Sequence, residues 1–212
     1  MSIASIISER SIAEIVHFTT NRGIAGVLAS KALKARSLLP ADKYLEHIYL
    51  HNCECRDRDA QWHGYVNLSI TRINARLFGI SAGNWHRDID GWWCILSFDP
   101  SILTHDGVYF ATTNNMYSGV QRRKGPEGLE ALFAQQITKW PGKVVHRTSH
   151  TAPNRTTCSQ AEVLYPQQVD LNHLLRVYVR DGSHVDDIAG MCAALSLPPI
   201  ECGVAPEAFI EN

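Results

Sequence analysis

The chain has 212 residues, 45% of them hydrophobic, which is enough to bury a substantial core and reads as one domain over 1–212. A formal net charge of -1 excludes a broad electrostatic field for nucleic acid, so any such contact has to come from local patches. No run approaches membrane-spanning length, residues 1–10 do not begin as a secretory signal does, and the cysteines at 53, 55, 94, 158, 192 and 202 form no tight disulfide framework; the expected setting is cytoplasmic and reducing, with no membrane.

Ile15-Val16 opens a short strand that ends in His17-Phe18-Thr19, and Thr20 and Asn21 are N-cap residues for a helix expected to run to about Arg36, with Ile24, Val27, Leu28 and Leu33 as its apolar stripe. A polar stretch from Pro40 to His63 follows, expected to hold a helical piece and a surface loop. His51, Cys53, Cys55 and His63 fall within it, but the Cys-x-Cys spacing lacks a second close pair, so thiols are expected there and no metal. Strands are expected at Gly64–Ile70, at Trp92–Phe98, stopped by Asp99-Pro100, and at Val108–Ala111. Trp92 and Trp93 point to opposite faces of their strand, one into the core and one over the sheet.

Arg122-Arg123-Lys124 is a basic patch that reads either as solvated charge or as a local nucleic-acid contact. Glu127 to Trp140, with Leu129, Leu132, Phe133 and Ile137 at helical spacing, predicts a helix closed by Pro141-Gly142. From Pro141 to Ser159 the chain is rich in Ser, Thr and basic residues, and a loop of that length between packed elements is usually functional. A strand at Leu174–Val179 and an amphipathic helix at Val185–Leu195 complete the pattern, which is that of an α+β domain.

That long loop runs into Gln160-Ala161-Glu162, at the head of the apolar Val163-Leu164-Tyr165. In an extended strand Gln160 and Glu162 share a face, so a carboxamide and a carboxylate serve one site. Such a pair suits a glycosidic bond that breaks through an oxocarbenium-like transition state, the carboxylate stabilising the cation and the amide holding the acceptor. His17 and Thr19 likewise share a face and could bind a ligand's polar edge together.

His-x-Thr closing a first strand, a helix that begins Gly23-Ile24 and continues Val27-Leu28, and a late Gln160-Ala161-Glu162-Val163-Leu164 strand together resemble the DarT family of DNA ADP-ribosyltransferase toxins, in the same order from roughly Val16 to Val179. The resemblance implies a mixed split β-sheet of the ADP-ribosyltransferase type with flanking helices. It implies NAD as ADP-ribose donor and no metal, with Glu162 as catalytic carboxylate. His17, Thr19, Thr113 and Asn114 would bind NAD. The strand Tyr65–Ile70 resembles the one leading to the family's NAD-binding arginine. An ungapped match puts Ile73 in that arginine's slot, so the role is carried to Arg72, with Arg76 in reserve.

The resemblance also implies a base in single-stranded DNA as acceptor, contacted by Gln160 and by Arg147, His150 and Arg155 of the long loop, and a macrodomain antitoxin of the DarG type as partner. The residues by themselves leave RNA or protein as alternative acceptors, and leave open a non-enzymatic nucleic-acid-binding module.

Overall fold

The computed structural model describes residues 1–39, 60–85 and 91–210. Its strands are β1 (Ile15–Thr20), β2 (Ala32–Lys34), β3 (Tyr65–Ile70), β4 (Trp93–Phe98), β5 (Tyr109–Ala111), β6 (Arg122–Arg123), β7 (Gln136–Trp140), β8 (Lys143–His146), β9 (Glu162–Pro166), β10 (Gln168–Asp170), β11 (Leu174–Val179) and β12 (Cys202–Val204). The helices are α1 (Ile3–Glu9), α2 (Asn21–Ser30), α3 (Ala75–Ile80), α4 (Gly125–Ala131) and α5 (Ser183–Ala194). Eight strands form one sheet in the order β12-β11-β4-β1-β3-β9-β5-β6, antiparallel between β11 and β6 and parallel only where β12 meets β11. This is the mixed α+β architecture expected from the sequence.

The sheet splits in its middle. β1 matches β4 along its full length, yet against β3 only Ile15 and Val16 are in register, with Ile70 and Ser69. Beyond Val16 the two strands diverge and the gap is bridged by a side chain, His17, whose Nδ1 meets the Asn67 carbonyl at 2.9 Å. The opening thus lies at the carboxyl end of β1.

Alternation along the strands loads both faces. Ile15, Leu68, Ile70, Cys94, Leu96, Phe98, Phe110, Val163 and Val177 build the main core with Ile24, Val27 and Leu28 of α2, Leu129 of α4 and Ile188 of α5. The opposite face carries a smaller cluster of Val16, Ile73, Phe78, Ile95 and Phe209, with Phe18 and Trp93 packed against it. Trp92 and Trp93 do divide between the faces, Trp92 joining the main core and stacking on His184 at 4.5 Å.

Three expectations are corrected. The first helix ends at Ser30, because Lys31 adopts a left-handed C-cap (φ 53°) and Ala32–Lys34 then pair with Gln168–Asp170 as a strand. The helix expected over Glu127–Trp140 stops at Ala131. Gln136–Trp140 is instead a strand whose residues alternate exposed and buried, and it pairs with β8 across a turn in which Gly142 takes φ 80°. Pro141-Gly142 therefore turns a hairpin where a helix stop was expected, and the loop up to Ser159 loses its first residues to β8. Finally, α1, α3 and β12 form where the sequence offers no long periodic signal. The zinc reading at His51, Cys53 and Cys55 lies outside the described residues.

Candidate active site

Glu162 begins β9 and Gln160 sits in the turn before it, so the two do not share a regular strand. Both are nonetheless buried, 6% and 4% exposed, with Ala161 buried between them. Glu162 Oε2 accepts the backbone N–H of Asn115 at 2.8 Å. The Gln160 amide Nε2 donates to the Tyr117 hydroxyl at 3.1 Å, and the Tyr117 ring stands edge-on to Trp140 of β7, 4.9 Å between centroids. The acidic and amide groups are therefore both fixed by the segment joining β5 to β6.

That segment is clasped against the hairpin. Gly119 N donates to the Lys139 carbonyl at 3.0 Å, and a Cβ at Gly119 would fall 2.7 Å from the Thr138 carbonyl oxygen, so backbone meets backbone only because position 119 is glycine. Thr113 is fully buried with its hydroxyl 3.2 Å from Cys158 Sγ, which ties the same segment to the chain entering Gln160. Asn114 is partly exposed and its Oδ1 accepts the Met116 N–H at 2.9 Å.

On the other side of the split, the His17 imidazole is half-buried. Burial depresses its pKa, opposed in part by the bond to Asn67, so it is neutral at physiological pH. In that form Nδ1–H donates to the Asn67 carbonyl and Nε2 is left as an acceptor. Thr19 is buried beside it on the same strand, and Thr20 caps α2 by accepting the Gly23 N–H at 3.2 Å. Asn67 is in register with Leu164 of β9, so His17 and Glu162 are linked through one intervening strand, β3.

Arg72 follows β3 through Thr71, a β-branched residue at φ 63°. Ile73, in the arginine slot of the ungapped match, packs in the smaller core, is 5% exposed and forms part of the apolar wall of a cleft of about 70 Å3, which Arg72 lines together with Ala75, Arg155, Ser159 and Ala208. Burial lowers the Arg72 pKa first, and the neighbouring Arg155 charge second, while Glu207 acts the other way. An arginine side chain is effectively always charged, so Arg72 and Arg155 bring two adjacent positive charges to the cleft. Arg76 is exposed on α3.

The long loop is ordered from inside by Arg147, whose Nη1 donates to the Arg155 carbonyl at 2.6 Å and Nη2 to the Ala152 carbonyl at 2.8 Å. Arg155 and His150 line a wider hollow of about 450 Å3 that abuts the Arg72 cleft, sharing Arg155, Thr156 and Ser159 with it. The loop is tied to the arginine corner directly, because the Thr71 hydroxyl donates to the Asn154 carbonyl at 3.1 Å.

The structure thus brings Glu162, Gln160 and Thr113 onto one framework, and Arg72 beside Arg155, while His17 and Thr19 stand across the split. Sequence reasoning missed Asn115 and Tyr117, which hold the two site groups. It read Arg122 as part of a surface patch, although the side chain turns inward onto Asn115, leaving Arg123 and Lys124 exposed. Only the polar run after β5 hints at Asn115.

A family model described as "ssDNA thymidine ADP-ribosyltransferase, DarT" matches residues 16–210. Among solved structures, Thermus sp. 2.9 DarT in complex with ADP-ribosylated ssDNA is similar at a TM-score of 0.68 and 12% identity, over 94% of this chain and 97% of that one. The same Thermus protein in complex with NAD+ gives 0.65 and 14%, over 94% and 98%. Thermosipho africanus DarTG in complex with ADP-ribose gives 0.54 and 14%, over 93% of this chain and 51% of that one. No curated protein matches. At these identities the structural likeness establishes the fold.

Proposed function

This chain belongs to the DarT family of ssDNA thymidine ADP-ribosyltransferases, and from that we propose that its 212 residues form a single catalytic domain that transfers ADP-ribose from NAD to a thymidine base in single-stranded DNA. One observation carries the reading to this chain's own residues: a carboxylate, Glu162, is 6% exposed and aimed by a backbone N–H at 2.8 Å, next to the equally buried Gln160 amide. A carboxylate is costly to bury unless hydrogen bonds hold it, and one so held is preorganised to meet positive charge that develops on a bound sugar.

In this mechanism His17 Nε2 and the Thr19 hydroxyl hold the nicotinamide end of the dinucleotide, Asn114 adds a contact with the buried Thr113 behind it, and Arg72 pairs with its phosphates through the guanidinium fork. Glu162 accepts a hydroxyl of the ribose next to nicotinamide. It stabilises the positive charge that grows on that sugar as the glycosidic bond to nicotinamide breaks. A base nitrogen, oriented by Gln160, forms the new glycosidic bond as nicotinamide departs, and its proton passes to solvent water. Positioning and electrostatics account for the acceleration with no metal.

Arg155 beside the loop, and the hollow it shares with His150, support a single strand as acceptor, because a polyanion laid there would run past Ser159, the neighbour of Gln160 in the chain. Arg147 serves the same strand through the loop it organises. No helix among the described residues is long and apolar enough to cross a membrane, and a DNA substrate supports a cytoplasmic setting. The similarity to a protein named DarTG supports a toxin restrained by a DarG-type macrodomain partner.

Incubation with labelled NAD and, separately, single-stranded DNA, duplex DNA, RNA and a protein mixture tests the proposal. Label should enter single-stranded DNA first and duplex more slowly, since unstacking costs roughly a few kcal/mol. Preferential labelling of RNA or protein would overturn the acceptor assignment.

A further inference from the structure

Nothing in β9 itself fixes the Asn115 end of the Glu162 contact. The donor is the Asn115 backbone N–H, in the 112–120 segment that leaves β5 and returns to β6. Asn115 is 2% exposed, and it is gripped at two points by one side chain: Arg122 Nε donates to its Oδ1, and Arg122 Nη2 to its carbonyl oxygen. The guanidinium is backed by the Trp62 ring, 5.2 Å from ring centroid to Cζ. A planar fork that holds both the side chain and the backbone of one residue fixes the peptide plane around it, and so the direction of its N–H.

We propose that Arg122 is a positioning residue for the transfer reaction, acting through Asn115 to aim the Glu162 carboxylate. The inference rests on the reading of Glu162 as the carboxylate that meets the developing cation. Removing the fork leaves Asn115 Oδ1 and its carbonyl buried without those donors, so the turn relaxes towards other partners and takes the N–H with it. The carboxylate remains in place chemically but is no longer held where charge develops. Binding of NAD is largely preserved, because His17, Thr19 and Arg72 lie outside the segment that Arg122 holds, and only Asn114 and Thr113 move with it.

The test compares wild type with Arg122→Ala, Arg122→Lys and Asn115→Ala, measuring kcat and KM for NAD in transfer to single-stranded DNA, thermal stability, and the amide proton shift of Asn115 by NMR. Arg122→Ala should lower kcat by about 100-fold, the cost of a displacement near 1 Å, with KM for NAD changed by less than about threefold, since the anchors at His17, Thr19 and Arg72 keep their places. Arg122→Lys should recover part of the rate, because an ammonium can donate to these oxygens but lacks the planar fork that fixes their orientation. Asn115→Ala should be milder than Arg122→Ala, since its N–H and carbonyl survive. Glu162→Gln should shift the Asn115 amide proton, and Arg122→Ala should shift it too.

A folded Arg122→Ala protein with kcat within about twofold of wild type, or with an unmoved Asn115 amide, overturns the proposal. If the Ala variant does not fold, the same two readings on Arg122→Lys decide it. A wild-type protein that consumes no NAD would instead defeat the transferase reading, and the amide shift still decides whether Arg122 orients the Asn115 donor.

Discussion

Gly23 and Gly26 both lie in α2, yet alanine at the two positions should have different consequences. A Cβ at Gly26 meets nothing within 4 Å, whereas a Cβ at Gly23 would overlap the Thr19 hydroxyl outright and lie 3.2 Å from Thr19 Cβ. Gly26→Ala should therefore stabilise the protein by about 1 kcal/mol, the helix-propensity difference, or roughly 2–4 °C in Tm for a chain of this size. Gly23→Ala gains the same term but forces Thr19 out of its rotamer, at about 0.5–1.5 kcal/mol, so its net effect on stability is near zero. Its effect on ligand is larger: losing one hydroxyl hydrogen bond of about 1 kcal/mol weakens NAD binding roughly fivefold or more. Thermal unfolding and calorimetric NAD titration of both variants give the answer. Equal stabilisation by the two substitutions, with unchanged NAD affinity in Gly23→Ala, would refute the idea that the glycine exists to leave Thr19 its place.

Glu162→Ala should abolish transfer while leaving NAD affinity within about an order of magnitude; near wild-type turnover would remove Glu162 from the chemistry. Arg72→Ala should weaken NAD binding, with Arg72→Lys restoring it only in part, while the exposed Arg76→Ala changes little in the same titration; the reverse order would move the phosphate role to Arg76. His17 links stability to pH. Its folded pKa lies below the ordinary 6.5, so the unfolded chain takes up the proton first. The stability present above about 6.5 is then lost as pH falls through the folded value. Denaturant titrations from neutral to mildly acid pH should show that slope in wild type and a flatter one in His17→Gln.

Much of the framework was legible because it is local. The strand at Leu174–Val179 coincides with its expected bounds, the one expected at Gly64–Ile70 begins one residue later at Tyr65, and Thr20 caps its helix as a residue of that type should. Ile137 shows where locality fails: it continues the helical spacing of Leu129, Leu132 and Phe133, yet it equally fits the period-two pattern of Gln136–Trp140, and pairing with β8 selected the second. Glu162 and His17 stand out in the sequence because each belongs to a short local motif with a characteristic neighbour, Gln160 in one case and Thr19 in the other. Asn115 and Arg122 could not, since their significance lies in a bond to a residue 47 positions away in one case and a turn inward from a basic run in the other. The partner choice is made by tertiary packing.

Thr71 has a consequence for anyone who would re-engineer the acceptor preference. A β-branched residue at φ 63° is held against an intrinsic cost of about 1–3 kcal/mol, and its anchors are the Glu14 carbonyl, which accepts its N–H, and the Asn154 carbonyl, which accepts its hydroxyl. Grafting a foreign loop in place of 148–157 would remove the second anchor and release the corner from which Arg72 projects. Such a chimera would lose grip on the donor when only the acceptor was meant to change. A graft that keeps an acceptor for the Thr71 hydroxyl, or that replaces Thr71 with a residue at ease in that conformation, would exchange the two specificities independently.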